Sequence, residues 1–197
     1  MKLYYAPEAC SLADHIALLE VGAAVEIERA DLHTKKTQSG GDLRTVNPKG
    51  YVPALVLDDG RVITENIALL DWIADQYPSL RPDGDLGRTR LLEMLAFIST
   101  EIHRAFKPLW HPATDREKEK AREQVAQLLR FTETQMRGDY LFGDRLSVAD
   151  CYLFVMLRWS ERFGVEVPDT LLRLRRRMDA LPSVQRAMED EGMVAVA

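Results

Sequence analysis

Asn47-Pro48-Lys49-Gly50-Tyr51-Val52-Pro53-Ala54-Leu55-Val56-Leu57-Asp58-Asp59-Gly60-Arg61-Val62-Ile63-Thr64-Glu65-Asn66-Ile67 contains a loop, a strand, a turn, a second strand and a helix start in one run. Asn-Pro-Lys-Gly reads as a turn, because proline fixes φ and glycine tolerates φ > 0. Ala54–Leu57 and Val62–Thr64 are β-forming runs on either side of Asp58-Asp59-Gly60, which predicts an antiparallel hairpin. Pro53 stands at the head of the first strand, where a missing N–H costs least. A cis Val52–Pro53 bond is expected there, leaving the Val52 backbone open to a guest. Beyond the hairpin, Ile67, Leu70, Ile73 and Tyr77 recur at helical spacing. Asn66 is the expected N-cap, with free N–H groups suited to a carboxylate. An ordinary hairpin followed by an ordinary capped helix would read the same way.

Upstream of this stretch, Lys2–Tyr5 is a short β-forming run broken by Ala6-Pro7-Glu8-Ala9. Leu12, Ile16 and Leu19 then mark a helix that closes at Gly22. Val25–Arg29 alternates as a half-buried strand does. Strand, helix and strand make a βαβ unit with parallel pairing. Residues 31–46 are polar and read as a loop with a short helix. The order βαβ, α, ββ, α is a thioredoxin-like layout, with a mixed four-stranded sheet flanked by helices, over residues 1–78.

Downstream, residues 79–87 read as a linker, and residues 88–197 as an all-α domain. Arg88–Phe106 carries Leu91, Leu95, Ile98, Ile102 and Ala105 on one stripe, with Pro108 expected to stop the helix. Thr114 and Glu117 fit a capping box opening a long helix that ends near Gly138. Ser147 and Asp150 fit a second, opening a very apolar helix over Val148–Phe163, the expected centre of the helical domain. Asp169 and Ser183 mark two further helix starts.

Among 197 residues, 46% are hydrophobic, so the chain is globular and long enough for a substantial core. A net charge of −5 argues against general nucleic-acid binding, which needs a basic face. The first residues lack the apolar core of a signal peptide and no run has the length of a membrane span, so a cytoplasmic location is expected.

Two cysteines, Cys10 and Cys151, form neither a CxxC pair nor a metal pattern. Cys10 falls at the first turn of the first helix, where the helix dipole and unpaired N–H groups favour a thiolate and lower its pKa. Cys151 lies inside an apolar helix, where a thiol usually packs. Ala96, Ser99, His103 and Phe106 share one helical face, and His103 there is either a partner for a sulfur or an ordinary surface or capping histidine. His15, His33 and His111 show no spacing with acids or cysteines that suggests a metal site.

Taken together, these residues resemble the glutathione S-transferases, and within them the bacterial beta class. The resemblance runs from Met-Lys-Leu-Tyr-Tyr through Cys10-Ser11-Leu12, Arg29 to Lys36, Asn47-Pro-Lys-Gly-Tyr-Val-Pro, Thr64-Glu65, Glu101-Ile102-His103 and Ser147-Val-Ala-Asp150 to Glu191-Gly192. It implies glutathione as co-substrate, with Cys10 and His103 near its sulfur. Lys35 is implied for the glycine carboxylate region, Val52 and Pro53 for the cysteinyl segment, and Glu65 with Asn66 for the γ-glutamyl end. Ser99, Thr100 and Glu101 would help His103 close the site from the helical domain. A tripeptide with two carboxylates and one ammonium needs such a set of cations, backbone, helix start and acid. Ala96 stands where relatives often carry an asparagine, and Asn66 replaces the small residue usual after the glutamate.

The resemblance further implies a cytosolic homodimer that transfers glutathione to a hydrophobic electrophile, as in detoxification, without a metal. Two other activities are compatible with the same residues. One is thiol–disulfide or peroxide reduction at Cys10, and the other is non-catalytic glutathione binding on the same fold.

Overall fold

The computed structural model describes residues 1–193. Strands β1 (Lys2–Tyr5), β2 (Glu26–Arg29), β3 (Ala54–Val56) and β4 (Val62–Thr64) form one sheet in the order β2-β1-β3-β4. Helix α1 (Ser11–Glu20) crosses between β1 and β2, which pair in parallel with Leu3 opposite Ile27. β3 runs antiparallel to β1, with Leu3 opposite Leu55, and β4 runs antiparallel to β3. Helix α2 (Asn66–Gln76) follows the hairpin. The mixed thioredoxin-like sheet expected from the sequence is therefore present.

The helical part comprises α3 (Gly87–Phe97), a π-helical segment (Ile98–His103), α4 (Lys107–Trp110), α5 (Asp115–Gln135), α6 (Val148–Arg162), α7 (Asp169–Asp179) and α8 (Pro182–Asp190). α6 buries every residue except Arg158, Glu161 and Arg162. A helix apolar on all sides must lie at the centre of its neighbours. It packs on α1, whose residues Ser11 to Leu18 are all buried, and α1 also packs on α8. One continuous apolar cluster consequently links Leu3, Leu12 and Leu69 of the first half with Leu95, Phe154 and Val184 of the second.

Four boundaries differ from the sequence expectation. The Glu65 carbonyl accepts the first helical bond of α2, from Leu69 N at 3.0 Å, so Glu65 and not Asn66 is the N-cap. Pro108 does not stop a helix. It lies in the first turn of α4, where a missing N–H is harmless. α5 ends at Gln135, short of Gly138, and α8 begins at Pro182 in place of Ser183. In the connection 79–87, Gly87 approaches the Pro82 carbonyl so closely that a Cβ would sit 2.1 Å from its oxygen.

Both capping boxes form, in different surroundings. Thr114 and Glu117 close theirs at the surface. Asp150 is fully buried and accepts from Ser147 N at 2.8 Å, Ser147 Oγ at 2.6 Å and Leu141 N at 2.8 Å. Burial outweighs these donors and holds its carboxyl up at about 6. Asp150→Ala strands buried N–H groups as well as losing a cap, so it should cost about 2–4 kcal/mol in urea unfolding. Thr114→Ala should cost less than half of that, and equal losses would refute the distinction.

Candidate active site

Three loops and two helices meet at Cys10. Cys10 itself is the residue before α1, in αR geometry, and partly exposed. The loop before β3 is shaped by the buried Asn47, whose Nδ2 donates to Tyr51 O at 2.7 Å and whose Oδ1 accepts from Lys49 N at 3.2 Å. That loop delivers a cis Val52–Pro53 bond. Val52 packs in a small cluster with Ala6, Ala30 and Leu43, with Ala9 against it, which places it beside the Cys10 loop. Neither backbone group of Val52 takes a hydrogen bond among the described residues. A buried peptide unit with both groups unspent suits an extended guest chain. The Lys35 side chain passes over Gly50, where a Cβ would touch its Cε at 3.5 Å.

Three non-glycine residues adopt left-handed φ: Glu8 at 62°, Lys35 at 62° and Glu65 at 75°. Such geometry is uncommon for these side chains and tends to gather at functional loops. Each belongs to a loop or junction around Cys10. Trp159 Nε1 donates to Glu8 O at 2.8 Å and holds the first of them.

Glu65 lies between two partners that the sequence reading passed over. Its Oε1 accepts from Tyr51 Oη at 2.7 Å and from Lys49 Nζ, and both hold its carboxyl below the usual range. Lys49 also donates to Thr64 Oγ1 at 2.9 Å. Asn66, with its amide nitrogen turned toward the acceptors, donates to Cys10 O at 3.3 Å and to Asp14 Oδ2 at 2.7 Å. Asn66 thus joins the start of α2 to the start of α1 instead of capping its own helix.

From the helical side come His103 and Tyr152. His103 Nδ1 lies 2.7 Å from Tyr152 Oη, and its ring stands edge-on to Trp159 at 4.8 Å. Burial drives the His103 pKa down to about 4, so the imidazole is neutral at physiological pH. Burial raises that of Tyr152, with Cys10 adding to the effect and Ser99 and Asn66 acting on the same phenol. Ser99 and His103 are accordingly brought to Tyr152, whose phenol Cys10 also influences. Thr100 and Glu101 are not. Both are exposed, and Thr100 Oγ1 donates to Glu101 Oε1 at 3.2 Å. Ala96 is exposed as well.

The expected thiolate at Cys10 is overturned. Burial, reinforced by Asp14 one turn further along α1, pushes the Cys10 thiol up to about 12. The few N–H groups at the helix start oppose this and lose, because a dipole effect falls off within one turn while desolvation acts on the whole charge. Asp14 is wholly buried, its own pKa is raised by that burial, and its Oδ1 has no partner. Tyr152 and Asp14 were missed in the sequence because each sits at a position whose helical spacing reads as packing. Among the described residues no group of three or more His, Cys, Asp or Glu could hold a metal ion.

The raised pKa leaves less thiolate than an ordinary cysteine has, partly offset by the greater nucleophilicity of a more basic thiol. Cys10 should therefore react with iodoacetamide at neutral pH at least several-fold more slowly than free cysteine. Asp14→Asn should recover part of the rate when reaction is followed across the alkaline range. A rate at or above that of free cysteine would restore the helix-terminus argument.

The family described as "Glutathione S-transferase, N-terminal domain" matches residues 10–76, and "Glutathione S-transferase, C-terminal domain" matches residues 97–186. The chain is 38% identical to glutathione S-transferase GstA of Escherichia coli O157:H7, across 98% of this chain and 100% of that protein. A sphingomonad glutathione S-transferase complexed with glutathione superposes with a TM-score of 0.91 at 44% identity, covering 98% of this chain and 100% of the other. The bacterial beta class enzyme of Sphingomonas chungbukensis gives a TM-score of 0.89 at 44% identity over the same shares.

Proposed function

The chain belongs to the glutathione S-transferase family, and from that premise we propose how its residues divide the work of a glutathione transferase. The protein conjugates glutathione to electrophilic small molecules. Residues 1–78 hold glutathione, 79–87 connect, and 88–197 supply the electrophile's side of the cleft. In this reading Lys35 meets the glycine carboxylate. The Val52 backbone, ahead of Pro53, pairs with the cysteinyl unit, and Glu65 with the first N–H groups of α2 at Asn66 takes the γ-glutamyl end.

The observation that carries the assignment is the buried Val52 with both backbone groups unspent beside the Cys10 loop, and the groups expected around the sulfur are driven toward neutrality. Cys10 keeps its proton and His103 lacks a charge. A protonated Cys10 is a poor nucleophile and can act as an S–H donor. The glutathione thiol is then the group that ionises, favoured by donors that present hydrogens to its sulfur without competing for its electrophile. On the helical side Trp159 stands edge-on between His103 and Trp110. Such an aromatic wall suits a flat apolar electrophile. We place the enzyme in the cytoplasm as a homodimer acting in detoxification, with Thr100 and Glu101 turned away from their own subunit's site. Sedimentation at micromolar concentration should give twice the mass of one chain.

Cys10→Ala should leave conjugation to a chlorinated aromatic within roughly tenfold. A larger loss would make Cys10 the reacting thiol. Glu65→Gln should weaken glutathione about tenfold, less than a buried ion pair would, because Glu65 is half exposed and already shared with Lys49. An unchanged dissociation constant would place the γ-glutamyl end elsewhere.

A further inference from the structure

His103 has two ring nitrogens, and which of them carries the proton decides whether it can take a proton from a bound thiol or only give a hydrogen bond to it. The answer lies in Tyr152, one of the most deeply buried side chains in the protein, 1% exposed. Its hydroxyl hydrogen is out of reach of water and needs an acceptor inside the protein. Among the described residues, the hydrogen-bond partner of Tyr152 Oη is His103 Nδ1, at 2.7 Å. In the opposite arrangement, Nδ1–H donating to Oη, the phenolic hydrogen would have to turn to Ser99 or Asn66, which act on the phenol but do not stand in hydrogen-bonding geometry with it, in place of the 2.7 Å contact with Nδ1.

The hydrogen therefore belongs to Tyr152 and points at Nδ1. The neutral ring must then carry its own proton on Nε2. The ring plane is fixed as well. It stands at 79° to Tyr152 and 89° to Trp159, and a half-turn of the ring would keep that plane but put a carbon in place of Nδ1 and lose the bond to Oη. Nε2 has no hydrogen-bond partner among the described residues and is free to donate.

We propose that Tyr152 is a positioning residue that locks His103 in the Nε2–H form, making it a fixed neutral donor to the glutathione sulfur and not a base for its proton. The part concerning the sulfur rests on the placement of glutathione proposed above; the part concerning the tautomer does not. No proton is transferred between the two residues. The thiol proton of glutathione leaves to solvent, and the remaining sulfur lone pair accepts the Nε2–H. The charged and titratable groups facing this pair are Cys10 and Asp14 from α1, and both act on the phenol in the same sense, against its ionisation.

Imidazole nitrogen NMR of the free wild-type protein, labelled at its four histidines, tests the lock directly. His103, assigned by the signal lost in His103→Gln, should show a protonated Nε2 and a bare Nδ1 throughout the neutral range. A bare Nε2 in the wild type would overturn the proposal without any variant having to fold. Tyr152→Phe keeps the ring and removes the hydroxyl, so it should give mixed tautomers and lower kcat/KM about tenfold, with glutathione affinity nearly unchanged and the bound thiol titrating at higher pH. A Tyr152→Phe protein with a pure Nε2–H His103 and full activity would also overturn it. If the wild type shows the Nε2–H tautomer while His103→Gln leaves the titration of bound glutathione unmoved, the lock stands and the placement of the sulfur beside His103 fails.

Discussion

Helix α1 is enclosed on every side, and the rest of the molecule follows from that enclosure. Its residues from Ser11 to Leu18 are buried between the sheet, α6 and α8. A helix with no solvent-facing stripe must satisfy its polar side chains internally or leave them unpaired. Ser11 is solved locally, accepting from Ala6 N at 3.3 Å. His15 reaches across to Glu191, its Nδ1 3.1 Å from Oε1, with both side chains buried. Asp14 receives Asn66 on one oxygen and nothing on the other. The same enclosure that joins the two halves into one core also brings a carboxyl and a thiol into low dielectric side by side.

That arrangement explains a site in which ordinary charge is scarce. Cys10 is pushed toward the thiol, His103 toward the neutral imidazole and Tyr152 toward the phenol, all chiefly by burial. Charged groups stand at the periphery, where Lys49 and Glu65 remain half exposed and Lys35 lies along Gly50. A peptide ligand with charged ends and an uncharged middle matches this distribution. In the proposed placement its ends meet partners that stay hydrated, and its thiol enters a region where burial pushes Cys10 and Asp14 toward their protonated forms. Electrostatic help to a developing thiolate there comes from oriented dipoles, which act more strongly in a dry pocket than they would in water.

Much of the fold was legible because its signals are local. The hairpin around Asp58-Asp59-Gly60, the βαβ unit ending at Arg29 and both capping boxes each occupy a few consecutive residues, and each formed as read. The cis Val52–Pro53 bond was legible because its sequence pattern coincided with a loop. What escaped depended on neighbours distant in the chain. The Cys10 thiol responds to the mass of protein closed over it, which no helix-start rule can weigh. Tyr152 sits in a run of apolar residues and shows its purpose only when His103, 49 positions earlier, is laid against it. Thr100 and Glu101 came from the family resemblance and not from the helical face of Ser99 and His103, and both are exposed in the π-helical segment.

A π turn is what an α-helix becomes when one residue more than it can hold is accommodated without breaking it. The segment Ile98–His103 can be regarded as a helix carrying such a supernumerary residue, with Ile98 and Ile102 still anchored in the core at its two ends. Loss of a single codon from this stretch would let the backbone relax to regular α geometry. Residues within the widened turn would then shift by about 100° about the helix axis, while those on either side keep their phase. The imidazole would leave the phenol and the indole together, while the core could repack around the shortened turn. Between a catalyst and an inert protein of the same fold there would be one residue's worth of helical phase, which makes reading-frame-preserving insertions and deletions, more than substitutions, the changes by which a chain of this architecture gains or sheds its chemistry.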